Sequence, residues 1–292
     1  MFNIKKIDLK VHKLVDSLFV WNYKTAFKWR GLQFSDYRQY DIWDDSKYID
    51  FIASAREQKL LIKRFEEERE LSVFFLIDLS ESMNFLYNDK KKIDSLIETF
   101  YILSYSAILN NDKIGALVFN ENWFFLIKPT KWKKSLLKIL DIINPSPLAP
   151  LIKSEGNKIK TIKNFDVNKM IAFFNNLPIK NALIFLLSDK IDEINDKNLK
   201  IISIKNDFVY INIFDHFENN LSKESYTLKL WNTIKTIFLN LRDEKKVLEY
   251  KNLRKQKINN FKKKLNNYNI DYLLIDDKTN IFKELLKFFK SR

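Results

Sequence analysis

The chain has 292 residues, 46% of them hydrophobic, enough to bury a sizeable core in one large domain or in one domain with an elaboration. It holds no cysteine, two histidines (His12, His216) and three glycines (Gly31, Gly115, Gly156), which excludes disulfides, thiolate metal sites and glycine-rich phosphate loops and disfavours histidine triads and zinc. The formal net charge is +14, but the lysines are spread along the chain among acids, Ile, Asn and Phe, so a compositional bias explains the excess more simply than nucleic-acid binding does.

In residues 1 to about 25, Ile4, Ile7, Val11, Leu14, Val15, Leu18 and Phe19 recur at helical spacing, which predicts an amphipathic helix packed on the core. Lys5, Lys6, Asp8, Lys10 and Lys13 interrupt any signal-peptide core, and no apolar run approaches a membrane span. A cytoplasmic protein with no transmembrane segment is expected, brought to a membrane only by another protein.

From Lys28 to Leu71, aromatics and charges alternate without helical period. The expectation is a charged, hydrogen-bonded layer in which Arg30, Arg38, Arg56 and Arg69 pair with Asp and Glu. Trp29, Phe34, Tyr37, Tyr40 and Phe51 would otherwise be exposed, so residues 26–71 are expected to pack on the domain that follows. Residues 1–71 thus form an N-terminal segment packed on the core, and 72–292 form the main domain with a C-terminal helical extension.

Val73-Phe74-Phe75-Leu76-Ile77 is short, rich in β-formers and apolar on both faces, as a central parallel strand is when helices cover both sides. It ends in Asp78-Leu79-Ser80-Glu81-Ser82-Met83. Ligands in such sheets sit beyond the carboxyl ends of the strands, where Asp78, Ser80 and Ser82 fall. One carboxylate and two hydroxyls are hard oxygen donors that suit Mg²⁺. Acid and serine after a strand also make an ordinary helix N-cap, and both readings stand on these residues alone. The pattern Asp-x-Ser-x-Ser resembles the metal-ion-dependent adhesion site of von Willebrand factor A-type domains.

A more specific resemblance covers nearly the whole chain. Arg30-Gly31-x-x-Phe34-Ser35-Asp36-x-Arg38-x-Tyr40 is followed by Asp44-Asp45, Ile49-Asp50-Phe51, Ala55-Arg56, Phe65-x-Glu67-Glu68-Arg69-Glu70 and the Asp78 pattern. Their order resembles the bacterial family called domain of unknown function 58. That resemblance implies a von Willebrand A-like domain, company with MoxR-type AAA+ ATPases, and no established enzymatic activity. The family usually has Trp where this chain has Phe51.

Downstream, Ile93 to Leu109 reads as an amphipathic helix, Lys113 to Phe119 as a buried strand, and Trp123 to Ile127 as its hairpin partner at the sheet edge. Lys133 to Ile142 returns as a helix. Asn144 to Lys163, with Pro145, Pro147, Pro150 and Gly156, reads as a loop. Val167 to Leu177 is a helix. Ala182 to Leu187 is a third buried strand ending at Ser188-Asp189. Ile201 to Ile204 and Phe208 to Ile213 read as further strands, and Phe217 to Leu230 as an outlying loop or hairpin. Arg242 to Asn267 is a long helix, Ile270 to Asp276 a strand, and Ile281 to Phe289 a closing helix. Lys90–Lys92 and Lys262–Lys264 read as solvated helix ends. The alternation predicts an α/β doubly wound, mostly parallel sheet of von Willebrand factor A/Rossmann-like type, with the N-terminal elaboration packed on it.

The adhesion-site resemblance implies that Asp189 acts on the metal through water; by itself, a strand-terminal acid is also a common N-cap. It further implies a loop threonine, but that position is Phe165, which cannot ligate, and nearby Thr161 does not fit the spacing. The metal set is therefore Asp78, Ser80, Ser82 and Asp189, with weak Mg²⁺ binding expected and water filling the missing position. The expected function is a non-enzymatic interaction module that takes hold of an acidic residue on a partner such as a MoxR-type AAA+ ATPase. A Mg²⁺-dependent phosphoryl-transfer or hydrolytic enzyme is the alternative.

Overall fold

The computed structural model describes Tyr23 and residues 33–66, 71–84, 86–87, 90–131, 133–144, 160–161, 166–191, 194–214, 228–231, 236–239, 244–276 and 278–292. The expected helix over residues 1–25 lies outside them, apart from Tyr23, which is helical and buried.

The N-terminal segment is built from β1 (Gln33–Gln39), α1 (Phe51–Glu57) and β2 (Leu61–Glu66), with β1 and β2 antiparallel. The alternation of aromatics and charges without helical period gives no sign of α1. Asp50 caps it, its carboxylate accepting from the N–H groups of Ile52 and Ala53. Of the predicted arginine pairs, Arg38 holds Asp44, and this hydrogen bond keeps the Asp44 carboxyl below the usual range. Arg30 and Arg69 lie outside the described residues. Phe51 is 72% exposed and Trp43 93% exposed, so the burial expected for Phe51 is not found.

The main body is a seven-stranded sheet with strand order β13-β10-β9-β3-β6-β7-β8. Its strands are β3 (Ser72–Asp78), β6 (Lys113–Phe119), β7 (Trp123–Thr130), β8 (Lys160–Thr161), β9 (Leu183–Ser188), β10 (Asp207–Phe214) and β13 (Asp271–Asp276). β13, β10, β9, β3 and β6 run parallel, and β7 is antiparallel to both β6 and β8. The edge is therefore β8, not β7. Small antiparallel pairs join β4 (Leu86–Tyr87) to β5 (Lys90–Lys91) and β11 (Leu228–Trp231) to β12 (Thr236–Leu239).

Helices cover both faces, because the inner strands are apolar on both. One face carries Val73, Phe75 and Ile77 of β3 against α2 (Lys92–Leu109), α3 (Lys133–Ile143) and α7 (Ile281–Ser291). There Phe75 stacks on Phe185 and meets Phe100 edge-on at 4.9 Å. The other face carries Phe74 and Leu76 against α4 (Val167–Asn175), α5 (Asp196–Lys205) and the C-terminal end of α6 (Glu244–Asn266). Gly115 permits close approach: a Cβ there would stand 2.8 Å from the Phe74 ring and 2.9 Å from Pro129.

Ile201–Ile204 is helix, not strand. Asn195 caps α5, and Leu199 and Ile202 are buried at helical spacing. No helix among the described residues is long and apolar enough to cross a membrane.

Candidate functional site

In the parallel pairing of β3 with β9, Ile77 lies opposite Leu187. The next residues, Asp78 and Ser188, therefore meet at the carboxyl edge of the sheet. Side chains alternate between faces, so Asp78 and Ser188 share a face with Leu76 and Leu186, and Tyr210 and Asn212 of β10 extend that row. Beyond β3 the chain turns: Met83 N–H donates to the Ser80 carbonyl, which opens a short 3₁₀ turn over Glu81–Asn84. Glu121 receives the Glu81 N–H at 3.0 Å and ties this turn to the loop after β6.

One hydrogen-bonded chain links the acids and hydroxyls. Asp78 Oδ1 accepts from Ser80 N–H at 2.8 Å, and Asp78 Oδ2 accepts from Ser188 Oγ at 2.7 Å. Ser80 Oγ and Ser82 Oγ lie 3.1 Å apart, and Ser82 Oγ donates to Asp189 Oδ1 at 2.9 Å. Lys92 Nζ donates to Asp189 Oδ2, also at 2.9 Å. Tyr210 OH donates to the Lys190 carbonyl, and Lys190 N–H donates to Ser188 Oγ at 3.1 Å, so Ser188 itself is held in place.

The two carboxyls behave oppositely. Burial, then the charge of Asp189, pushes Asp78 up to about 6, against the hydrogen bonds from Ser188 and Ser80. Burial also works to raise Asp189, but the ammonium groups of Lys92 and Lys190 and the bonds from Lys92 and Ser82 outweigh it and hold Asp189 low. Burial pushes the Tyr210 phenol well above its ordinary range.

All four residues of the expected metal set, Asp78, Ser80, Ser82 and Asp189, belong to this one network. Phe165 lies outside the described residues. Thr161 pairs with Trp123 on β8, which is separated from β3 by β6 and β7. At about 4.8 Å per strand its backbone is roughly 14 Å from that of Asp78, too far for a threonine side chain to span. Asp166, beside the missing threonine position, caps α4 by accepting from Lys169 N–H at 2.7 Å.

Lys92, Ser188, Tyr210 and Asn212 were not among the sequence candidates. Lys92 corrects the reading of Lys90–Lys92 as solvated, because its side chain is only 3% exposed. The signal was present: Lys92 precedes Leu96 by four residues, on the buried stripe of α2. Asn212 is buried, and its Nδ2 has no partner among the described residues.

The donor chemistry fits a hard cation. Two carboxylates and two hydroxyls present oxygen only, and Asp78, raised first by burial and then by the charge of Asp189, is a carboxyl whose ionised form a nearby cation would favour. Among the described residues no group of three or more His, Cys, Asp or Glu side chains gathers to hold a metal, so hydroxyls and water would complete such a shell. Asp78, Ser80 and Ser82 are the residues that would hold the ion.

No curated protein matches the chain. The family model described as Protein of unknown function DUF58 matches residues 36–257, from β1 through most of α6 and including the whole Asp78–Asp189 network. That match covers more than half of the chain, and the protein belongs to the DUF58 family.

Proposed function

We propose that the protein is a non-enzymatic interaction module of von Willebrand A-like type, which captures an acidic residue of a partner through a Mg²⁺-class cation held at Asp78, Ser80 and Ser82. The observation that carries this reading is the gathering of Asp78, Ser80, Ser82 and Asp189 into one network at the carboxyl edge of the sheet. An ion held by one carboxylate and two neutral hydroxyls keeps net positive charge. A partner Asp or Glu completing its shell gains a contact that strengthens as water is excluded. The family's resemblances suggest the partner, a MoxR-type AAA+ ATPase, and a role in assembly, maturation or chaperoning of a complex.

Titration with Mg²⁺ and Mn²⁺ tests the ion directly. The wild type should give a weak, saturable calorimetric response that Asp78→Ala abolishes, with circular dichroism confirming that the variant is folded. Asp78→Asn, which keeps the side-chain shape, should behave likewise. A response that survives both substitutions places the ion elsewhere.

A further inference from the structure

Lys92 is the first residue of α2, and its side chain is almost as inaccessible as the sheet core. Local helix energetics do not favour it there. A cation at a helix N-terminus opposes the macrodipole, and burying an ammonium is costly unless it is paired. The pairing is Asp189, with Nζ and Oδ2 2.9 Å apart and the two side chains 3% and 7% exposed. The other oxygen of Asp189 holds Ser82, whose hydroxyl also faces Ser80. The ammonium is thus one residue removed from the oxygens that would hold an ion.

We propose that Lys92 is a built-in counter-ion that competes with the divalent cation of this edge and sets its affinity. Its charge cancels, to first order, the charge Asp189 would offer, so the ion is held by Asp78, Ser80 and Ser82 almost alone. With both acids ionised, Asp78, Asp189 and Lys92 together carry one net negative charge. Removal of the ammonium leaves two. The site is therefore kept weak and readily exchanged, which suits capture and release of a partner. This inference rests on the reading of the edge as a cation site.

The test is a charge cycle: calorimetric titration with Mg²⁺ and with Mn²⁺ of wild type, Lys92→Met, Lys92→Arg, Asp189→Asn and the Lys92→Met/Asp189→Asn double variant. The double variant removes both members of the buried Lys92–Asp189 pair together, so neither is left without the other, and the cycle stays readable if Lys92→Met alone folds poorly. Expected are at least tenfold tighter binding in Lys92→Met, near wild-type binding in Lys92→Arg and in the double variant, and the weakest binding in Asp189→Asn. A purely structural strut would give the opposite: Lys92→Met would loosen the site and bind no better than wild type. That result overturns the counter-ion role and leaves the cation reading standing. Binding by Lys92→Met alone, lost when Asp78→Ala is added, supports the counter-ion role while overturning capture of the ion by the wild type. For proteins shown to be folded, no binding by any variant overturns both. If Lys92→Met does not fold, a double variant that binds no better than Asp189→Asn overturns the counter-ion role.

Discussion

Ser188 Oγ donates to Asp78 Oδ2 across 2.7 Å, joining residues 110 positions apart in sequence at the ends of neighbouring parallel strands. Both side chains are buried. The bond occupies one oxygen of Asp78, while the other accepts from the Ser80 N–H. It fixes which way the carboxylate points before any ion or partner arrives.

Ser188→Ala should cost about 1.5–3 kcal/mol of stability near neutral pH, the range for a hydrogen bond to a charged group whose partner is left buried. Urea denaturation measures it. The loss should shrink at acid pH, where a protonated Asp78 no longer needs the donor as strongly. A loss that stays constant with pH would mean that the bond serves packing alone.

The pH dependence follows from the same carboxyl. Asp78 sits at about 6 in the folded protein against an ordinary 3.8, so between those values the folded state retains a proton that the unfolded state has released. In metal-free buffer the Asp78 contribution to stability therefore falls as pH rises through that window, by about 3 kcal/mol at most. Asp189 is held low and works the other way: its contribution is present above 3.8 and is lost as pH falls below it. Asp78→Asn should flatten the upper window in a urea series from pH 4 to 7. A variant with an unchanged slope would assign the window to another group.

Gly115→Ala tests the packing behind the strand. Its new methyl would meet the Phe74 ring at 2.8 Å and Pro129 at 2.9 Å, and Phe74 is itself pressed on Phe174. Overpacking of this kind should cost about 1–3 kcal/mol, read as a lower denaturation midpoint at unchanged slope. A neutral result would mean that the ring and the proline move aside freely.

The central strands were legible because they are buried on both faces, so Val73–Ile77 and Leu183–Leu187 appear as unbroken apolar runs with polar residues only where they end. Asp78, Ser80, Ser82 and Asp189 were legible for the same reason: the sheet edge is where the apolar run stops. Ile201–Ile204 misleads because its branched residues suggest a strand, while the decisive signals, the Asn195 cap and Leu199 three residues before Ile202, begin upstream. Phe51 misleads because an aromatic residue suggests burial, whereas burial of large apolar residues is a tendency that single positions escape: Phe51 opens α1 and stands in water. Ser188 and Lys92 were missed because their importance depends on partners about a hundred residues away, Asp78 and Asp189. A charge run gives no sign of which lysine turns inward unless it is laid on the helical stripe of the segment that follows.

The central claim is cation-dependent capture of an acidic partner at this edge. The most direct measurement is binding of the proposed partner, a purified MoxR-type AAA+ ATPase, to immobilised protein in three arms: wild type with Mg²⁺, wild type in chelator, and a folded Ser80→Ala/Ser82→Ala variant with Mg²⁺. The account predicts a complex in the first arm and its loss in the other two. Equal binding in all three would contradict it and reduce the Asp78 edge to a structural cap.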